Sequence, residues 1–318
     1  MEGLAFFKIL EVAGRLTIII ALVVWFMEID DRKQASHNRA WELINIASSG
    51  DGGRRMALSE LSKDNVDLTA TPLANAYLPK INLMGVTFQK AILVNANLFE
   101  ANLKNANLIE ANLSNAILTG AELENAQLQF ADLSNAKLDL AYLNSANLWS
   151  AVMPNVNMTS AVLVDADLTF ALLPKAELTN ANLKFATMGN IDLARANLSK
   201  ADLEKADLSH ASLAYAILKE ANLENAILVF ADLNHADLAD ANLRNAILTG
   251  ANLSMTTLVR TDFSEADLTD VNFNYAVLNG ADLTNTKGLV VEQLKRACGD
   301  RTTMLPNGIT LDSCEDGT

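Results

Sequence analysis

The sequence predicts an all-β solenoid, a chain wound into stacked square coils. Three observations carry this. Every fifth residue from Leu68 to Leu283 is large and apolar: of 44 positions, 38 are Leu, three are Met (Met153, Met158, Met188) and three are Phe (Phe88, Phe263, Phe273). The residue two before each is Ala in 35 of the 44 and otherwise Val, Ile or Thr. The register never slips from Val66 to Asn285. A period of five fits neither a helix at about 3.6, nor a strand at about 2, nor a coiled-coil seam at about 3.5. Residues two apart point the same way in extended backbone, so each Ala–Leu pair faces inward together. The chain must then turn to bring in the next pair. One corner every five residues closes a square in about 20.

Blocks such as Ala101-Asn102-Leu103-Lys104-Asn105 and Ala241-Asn242-Leu243-Arg244-Asn245 share an A-(N/D)-L-x-x signature. On these blocks the chain resembles the pentapeptide repeat proteins, from Val66 through Asn285. The resemblance implies a right-handed quadrilateral β-helix of about 11 coils. At one strand spacing per coil, ~4.8 Å, the rod is roughly 53 Å long. The volumes agree with this. A narrow square tube holds one large and one small side chain per face, and overpacking the small site costs roughly 1–3 kcal/mol. The fifth residue of the block is Asn twelve times and Gly four times. Both tolerate the positive φ that a type II turn requires, so this bias reads as turn chemistry. Asn75, Asn95, Asn115, Asn135 and Asn155 lie 20 apart and are expected to stack as a ladder.

The expected domains are a membrane anchor helix over 1–29, a helical linker and N-terminal cap over 30–65, the β-helix over 66–285, and a C-terminal cap and tail over 286–318. The run from Leu16 to Met27 contains no charged residue. It is short of the roughly 20 residues that a membrane span needs, so a span has to draw on residues 4–27, with Lys8, Glu11 and Arg15 tolerated on one face. A single retained anchor in contact with membrane lipid is the favoured reading. A cleaved signal peptide and a helix buried against a partner are the others. Basic residues lie on both sides of the stretch, so orientation is open. An anchor followed by an Ala-Trp helix and a Gly-rich break is similar to membrane-anchored bacterial members of the family.

The stretch 30–47 reads as an amphipathic helix with Ala40, Trp41, Ile44 and Ala47 near one face. Residues 48–53 form a break. Residues 54–63 give a second helix, with Met56, Ala57 and Leu61 apolar, that covers the open end of the first coil. At the other end, 290–297 reads as a short capping helix. Cys298 and Cys314 follow, 16 apart. A disulfide and two free thiols both fit. A disulfide would place the rod outside the cytoplasm.

Thirty-eight acids against 24 bases give a net charge of −14, a poor match to nucleic acid phosphates. Two cysteines exclude a four-cysteine zinc site, three histidines, at 37, 210 and 235, leave little for metal binding, and no metal or cofactor is expected. The repeats hold 24 of the acids and 12 of the bases. A strict 20-residue coil sorts them by face. The first face, centred on Leu68 and Phe88, carries six acids and one base; the second, on Leu73, three and two. The third, on Leu78, carries six and five; the fourth, on Leu83, nine and four. The fourth and first faces adjoin, so one side holds −10 of the rod's −12.

Phe130, Phe170 and Phe230 occupy the fifth position of the first face, with Trp149 at the fourth. Outward aromatics there are the candidate partner contact. His210 and His235 sit at outward positions and read as surface. The chain shows no nucleophile–base pairing, no phosphate loop and no metal cluster. The expected function is therefore a non-catalytic, membrane-anchored scaffold presenting a rigid rod for protein–protein interaction, with an unidentified protein partner. The alternative is an acidic rod that mimics DNA and inhibits a topoisomerase such as DNA gyrase, as some members of the family do.

Overall fold

A computed structural model describes residues 2–45, 53–306 and 308–314, with side chains from residue 15 onward. The five-residue pattern becomes a right-handed β-helix. Every third-position residue from Leu68 to Leu283 is at most 1% exposed, and every first-position residue from Thr71 to Ala281 at most 4%. The three buried threonines do not break the apolar tube. The hydroxyls of Thr71, Thr256 and Thr261 donate to the carbonyls of Leu68, Leu253 and Leu238, which removes the penalty of burying them.

Coils stack through second-position residues, each paired in parallel with the residue 20 further on, from Pro72↔Ile92 to Asp267↔Lys287. Leu103 N–H donates to the Glu122 carbonyl at 2.7 Å, and Asn102 N–H to the Ile81 carbonyl at 2.9 Å. The same pattern repeats along the rod. Each corner is a turn closed by a bond such as Ala106 N–H to Leu103 O at 3.0 Å. Its fifth-position residue has φ between 49° and 70° throughout. Asn and Gly accept this conformation readily. Phe130, Leu140, Lys175 and Glu220 adopt it too, at roughly 1–2 kcal/mol each for a side chain with no local hydrogen bond to offset it. Stacking on both neighbours therefore sets the corner, and the turn residue only eases it. The Asn ladder forms at Asn75–Asn95 and Asn135–Asn155, each with a 3.2 Å amide bond.

The second position has a role that composition did not reveal. Its Asn or Asp Oδ1 accepts the backbone N–H two residues on, the donor that the turn leaves unpaired. Phe99 N–H donates to Asn97 at 3.0 Å, Trp149 N–H to Asn147 at 3.0 Å and Ala239 N–H to Asp237 at 3.1 Å. In several coils a Ser or Thr hydroxyl joins, as in Thr269 Oγ1 to Asp267 at 2.6 Å.

At the N-terminus one helix, α1, runs from Glu2 to Asn45. An anchor and a separate amphipathic helix were expected. Glu28-Ile29-Asp30-Asp31 contains no Gly or Pro to interrupt the ladder between them, so they merge. Ala40 and Ile44 are buried and Trp41 packs partly against the core, while Ala47 and the break at 48–52 lie outside the described residues. Helix α2, Arg54–Lys63, buries Ala57, Leu58 and Leu61. Met56 instead faces solvent at 79% exposure, because the helical period puts 57, 58 and 61 on one stripe and leaves 56 off it. Asp64 clips the two helices together. It accepts His37 Nε2 at 2.7 Å and lies 3.3 Å from Lys33 Nζ. The His37 bond is the main cause holding the Asp64 carboxyl below its ordinary range.

The single-pass anchor over 4–27 gains no support. Among the described residues no helix is long and apolar enough to cross a membrane. The run Leu16–Met27 extends about 18 Å as helix, against a hydrocarbon core of about 30 Å. The side chains of Lys8 and Glu11, invoked to lengthen it, lie outside the described residues.

At the C-terminus the expected helix is a single turn, α3, Val291–Leu294. The coil pairing continues irregularly beyond it, through Val277↔Cys298 and Asp282↔Met304. Strand β1, Cys298–Gly299, then pairs in parallel with β2, Asp312–Ser313. A disulfide joins Cys298 to Cys314 beside this pair.

The turn role of the second position can be tested at Asp267. The Thr269 hydroxyl, and then its N–H, hold that carboxyl below its ordinary pKa. A depressed folded pKa adds stability above the unfolded value, and that stability is lost as pH falls through the folded value. Asp267→Asn keeps the Oδ1 acceptor but loses the charge, and should cost part of the neutral-pH stability while removing this part of the acid sensitivity. Asp267→Ala should cost about 1 kcal/mol at neutral pH. Urea unfolding at pH 7 and pH 3 measures both.

Candidate protein-binding surface

The pairing at 20-residue spacing has no slip from 72 to 287, so columns of side chains run straight along the rod. The corner between the first and second faces carries the candidate residues. Phe130, Phe170 and Phe230 are 52%, 48% and 58% exposed. Trp149, expected to point outward, is half-buried. Its ring sits between two phenyl rings, 4.8 Å from Phe130 at 88° and 6.1 Å from Phe170 at 83°. Both are edge-to-face contacts, the geometry that ring quadrupoles favour. Ser150, at the corner position of that coil, is small, so Trp149 and not a fifth-position side chain occupies the gap between the phenyls.

Phe230 is separate from this ladder. It stacks on His210 at 5.4 Å and 22°, and lies over Gly250 one coil on. A Cβ at Gly250 would sit 2.5 Å from the Phe230 ring. His235 likewise stacks on Tyr215 at 4.6 Å and 8° on the next corner, with Arg195 over the tyrosine ring at 5.6 Å. The two histidines are thus ring partners in stacks. Among the described residues no group of His, Cys, Asp and Glu is arranged to hold a metal ion.

Sequence reasoning missed the apolar flank of the ladder. Val152 and Leu172 are exposed on the second face and pair with each other across coils. Leu172 follows Phe170 by two residues, and Pro154 and Pro174 follow on the same face. The signal was present: an aliphatic residue at the second position, where turn chemistry calls for Asn or Asp. The second face carries no charge between Asp132 and Lys175.

The acidic side holds in register but is not a bare strip of carboxylates. On the fourth face Lys104 lies 3.2 Å from Glu122 and 3.3 Å from Glu124. Lys184 lies 3.1 Å from Asp202 and 2.9 Å from Glu204, which also meets Lys205 at 3.2 Å. Arg244 meets Glu265 at 2.7 Å. Each of that face's four bases is committed to an acid on the same face. These contacts hold Lys184 protonated above its ordinary range, with the Glu204 bond the main cause. On the first face Asp67, Asp167, Asp207 and Asp267 each accept a turn N–H.

The packing at Gly250 gives a test. Gly250→Ala should displace the Phe230 ring and lower stability by about 1–3 kcal/mol through strain at positive φ and overpacking. In the Phe230→Ala background the same change should cost clearly less. A double-mutant cycle from urea unfolding measures the difference.

A family model described as pentapeptide repeats matches at residues 67–105, 106–144, 141–176, 176–214, 216–254, 226–264 and 246–285. Three solved structures are similar. HetL, a pentapeptide repeat protein involved in heterocyst differentiation regulation from the cyanobacterium Nostoc sp. strain PCC 7120, is 33% identical over 63% of this chain and 91% of its own, with a TM-score of 0.40. A pentapeptide repeat protein from the Arabidopsis thaliana thylakoid lumen is 34% identical over 29% of this chain and 77% of its own, with a TM-score of 0.26. QnrB1, a plasmid-mediated fluoroquinolone resistance protein, is 17% identical over 61% of this chain and 91% of its own, with a TM-score of 0.33. No curated protein matches the chain.

Proposed function

Because the chain belongs to the pentapeptide repeat family, we propose that it is a non-catalytic scaffold whose rod presents one corner to a protein partner. The observation that carries this is the Phe130–Trp149–Phe170 ladder at the surface, beside Val152 and Leu172 on a stretch of the second face that carries no charge. Contiguous apolar rings at a surface mark contact sites more often than scattered ones do. The rings lie outside the tube, so neither coil stacking nor core filling requires them.

Attachment of the N-terminal end belongs to the same reading. Between Leu16 and Met27 the large apolar side chains point to every side of the helix, and each is between 48% and 64% exposed. A helix apolar all round is covered in its working state, by lipid or by other helices. Membrane tethering through residues 4–27 remains our reading of that cover. The runner-up function, an acidic rod standing in for DNA on a topoisomerase, draws on the charge of the fourth and first faces. The ion pairs of Lys104, Lys184, Lys205 and Arg244 interrupt that charge and weigh against it.

Replacing Phe130, Trp149 and Phe170 together by Ser should leave the β-helix circular dichroism intact and strip a partner from crosslinking and pull-down of the full chain. An unchanged set of captured proteins would place docking elsewhere. Inhibition of gyrase supercoiling that survives the triple replacement would favour the acidic-rod reading.

A further inference from the structure

The aromatic corner also says what kind of segment it takes. Along the side of the rod the second-, third- and fifth-position N–H groups and the first-, second- and fourth-position carbonyls bond to the coils on either side, so no ladder edge is open to a partner. Addition of a partner strand is therefore closed along the length of the rod, and a partner is held by side chains alone. The rings lie in one column. Phe130 and Phe170 are two coils apart, about 10 Å, and Phe230 is five coils from Phe130, about 24 Å. An α-helix laid along the rod presents side chains on one face at about 5.4 Å per turn, so residues seven apart are about 10.5 Å apart and match the spacing of the first two rings. About 16 residues reach from Phe130 to Phe230.

Each end of the column has its own apolar neighbours. Val152 and Leu172 flank the ladder on the second face, and Ile227 and Ile247 pair with each other beside Phe230 on the first. The ground next to the column is acidic. Between Phe130 and Phe230 the first face carries Asp167 and Asp207, with Asp267 and Asp270 two coils beyond, and its one base, Lys90, lies 3.6 Å from Glu110. The matching ligand is apolar on one face and basic on its flank.

Resting on the scaffold reading above, we propose that this corner binds a basic amphipathic helix of a partner protein, aligned with the rod axis. Aliphatic residues of that helix seat on Phe130, Trp149 and Phe170, a second apolar group seats on Phe230, and its Lys or Arg residues meet Asp167 and Asp207. Binding is then salt-sensitive, because the ionic half of the contact is exposed.

The test uses the purified full chain and three fluorescent synthetic peptides of about 16 residues: an amphipathic Leu/Lys helix, the same residues scrambled so that no apolar face forms, and the amphipathic helix with Glu replacing Lys. Fluorescence anisotropy reads the affinity. The Leu/Lys helix should bind, and the scrambled peptide at least about tenfold more weakly. Trp149→Ser with Phe170→Ser should weaken binding at least about tenfold, the scale of a lost contact centre. Leu140→Ser with Tyr142→Ser, at the diagonally opposite corner, should leave it unchanged. Equal binding of the scrambled peptide, or wild-type affinity in the Trp149/Phe170 variant, overturns the proposal. Binding of the Glu peptide as tight as the Lys peptide overturns its ionic half. If the ring replacements abolish partner capture from cells and yet no peptide binds, the helix proposal fails and the scaffold stands. If capture is unchanged, the scaffold reading itself fails.

Discussion

The structure depends on one constraint: each coil hydrogen-bonds to the coils above and below it while a square tube closes around one Leu and one Ala per face. The two requirements enforce each other. A longer coil would lift the Leu off its neighbour, and a larger residue at the Ala site would push the coils apart. This explains why so many non-glycine corner residues accept a left-handed φ that most of them would avoid alone. The strain at each corner is offset by bonds to the coils on both sides, as expected of a solenoid whose stability is a sum of neighbour terms.

The same constraint divides the residues by task. First and third positions are consumed by the core. The second position serves the turn wherever it is Asn or Asp, and many of the rod's acids are therefore structural before they are electrostatic. Positions four and five are left free, and so is the second where it is aliphatic. Function has to be written there. The Phe130–Trp149–Phe170 ladder uses all of that freedom in a short stretch, with small Ser150 at the corner of the coil that carries Trp149. Face charges alone would direct attention to the fourth face, but its bases are bound up with its own acids.

The rod was legible in the sequence because its signal repeats 44 times in one register. Columns, faces and the outward placing of Phe130 and Phe170 followed from counting in twenties. What repeats only once was harder to read. The merging of two expected N-terminal helices into α1 turned on the absence of a breaker at 28–31. Met56 lost its place in α2 to Leu58 through the phase of a helix too short for periodicity to fix. The pairing of Cys298 with Cys314 was one of two open alternatives, because it depends on an irregular coil with no pattern. The separation of Phe230 from the other rings depends on contacts with His210 and Gly250 that spacing alone does not reveal.

The five-residue block is the unit of register, and insertion tests that most directly. One block, Ala-Asn-Leu-Ser-Asn, inserted between Asn180 and Ala181 should be absorbed, turning the C-terminal part of the rod by one face. Thermal unfolding should stay cooperative with a midpoint within about 5 °C of the parent. A single Ser at the same point should destabilise by several kcal/mol, since it shifts every later Ala and Leu out of the tube. Equal tolerance of the two insertions, or unfolding by the five-residue one, would contradict the account.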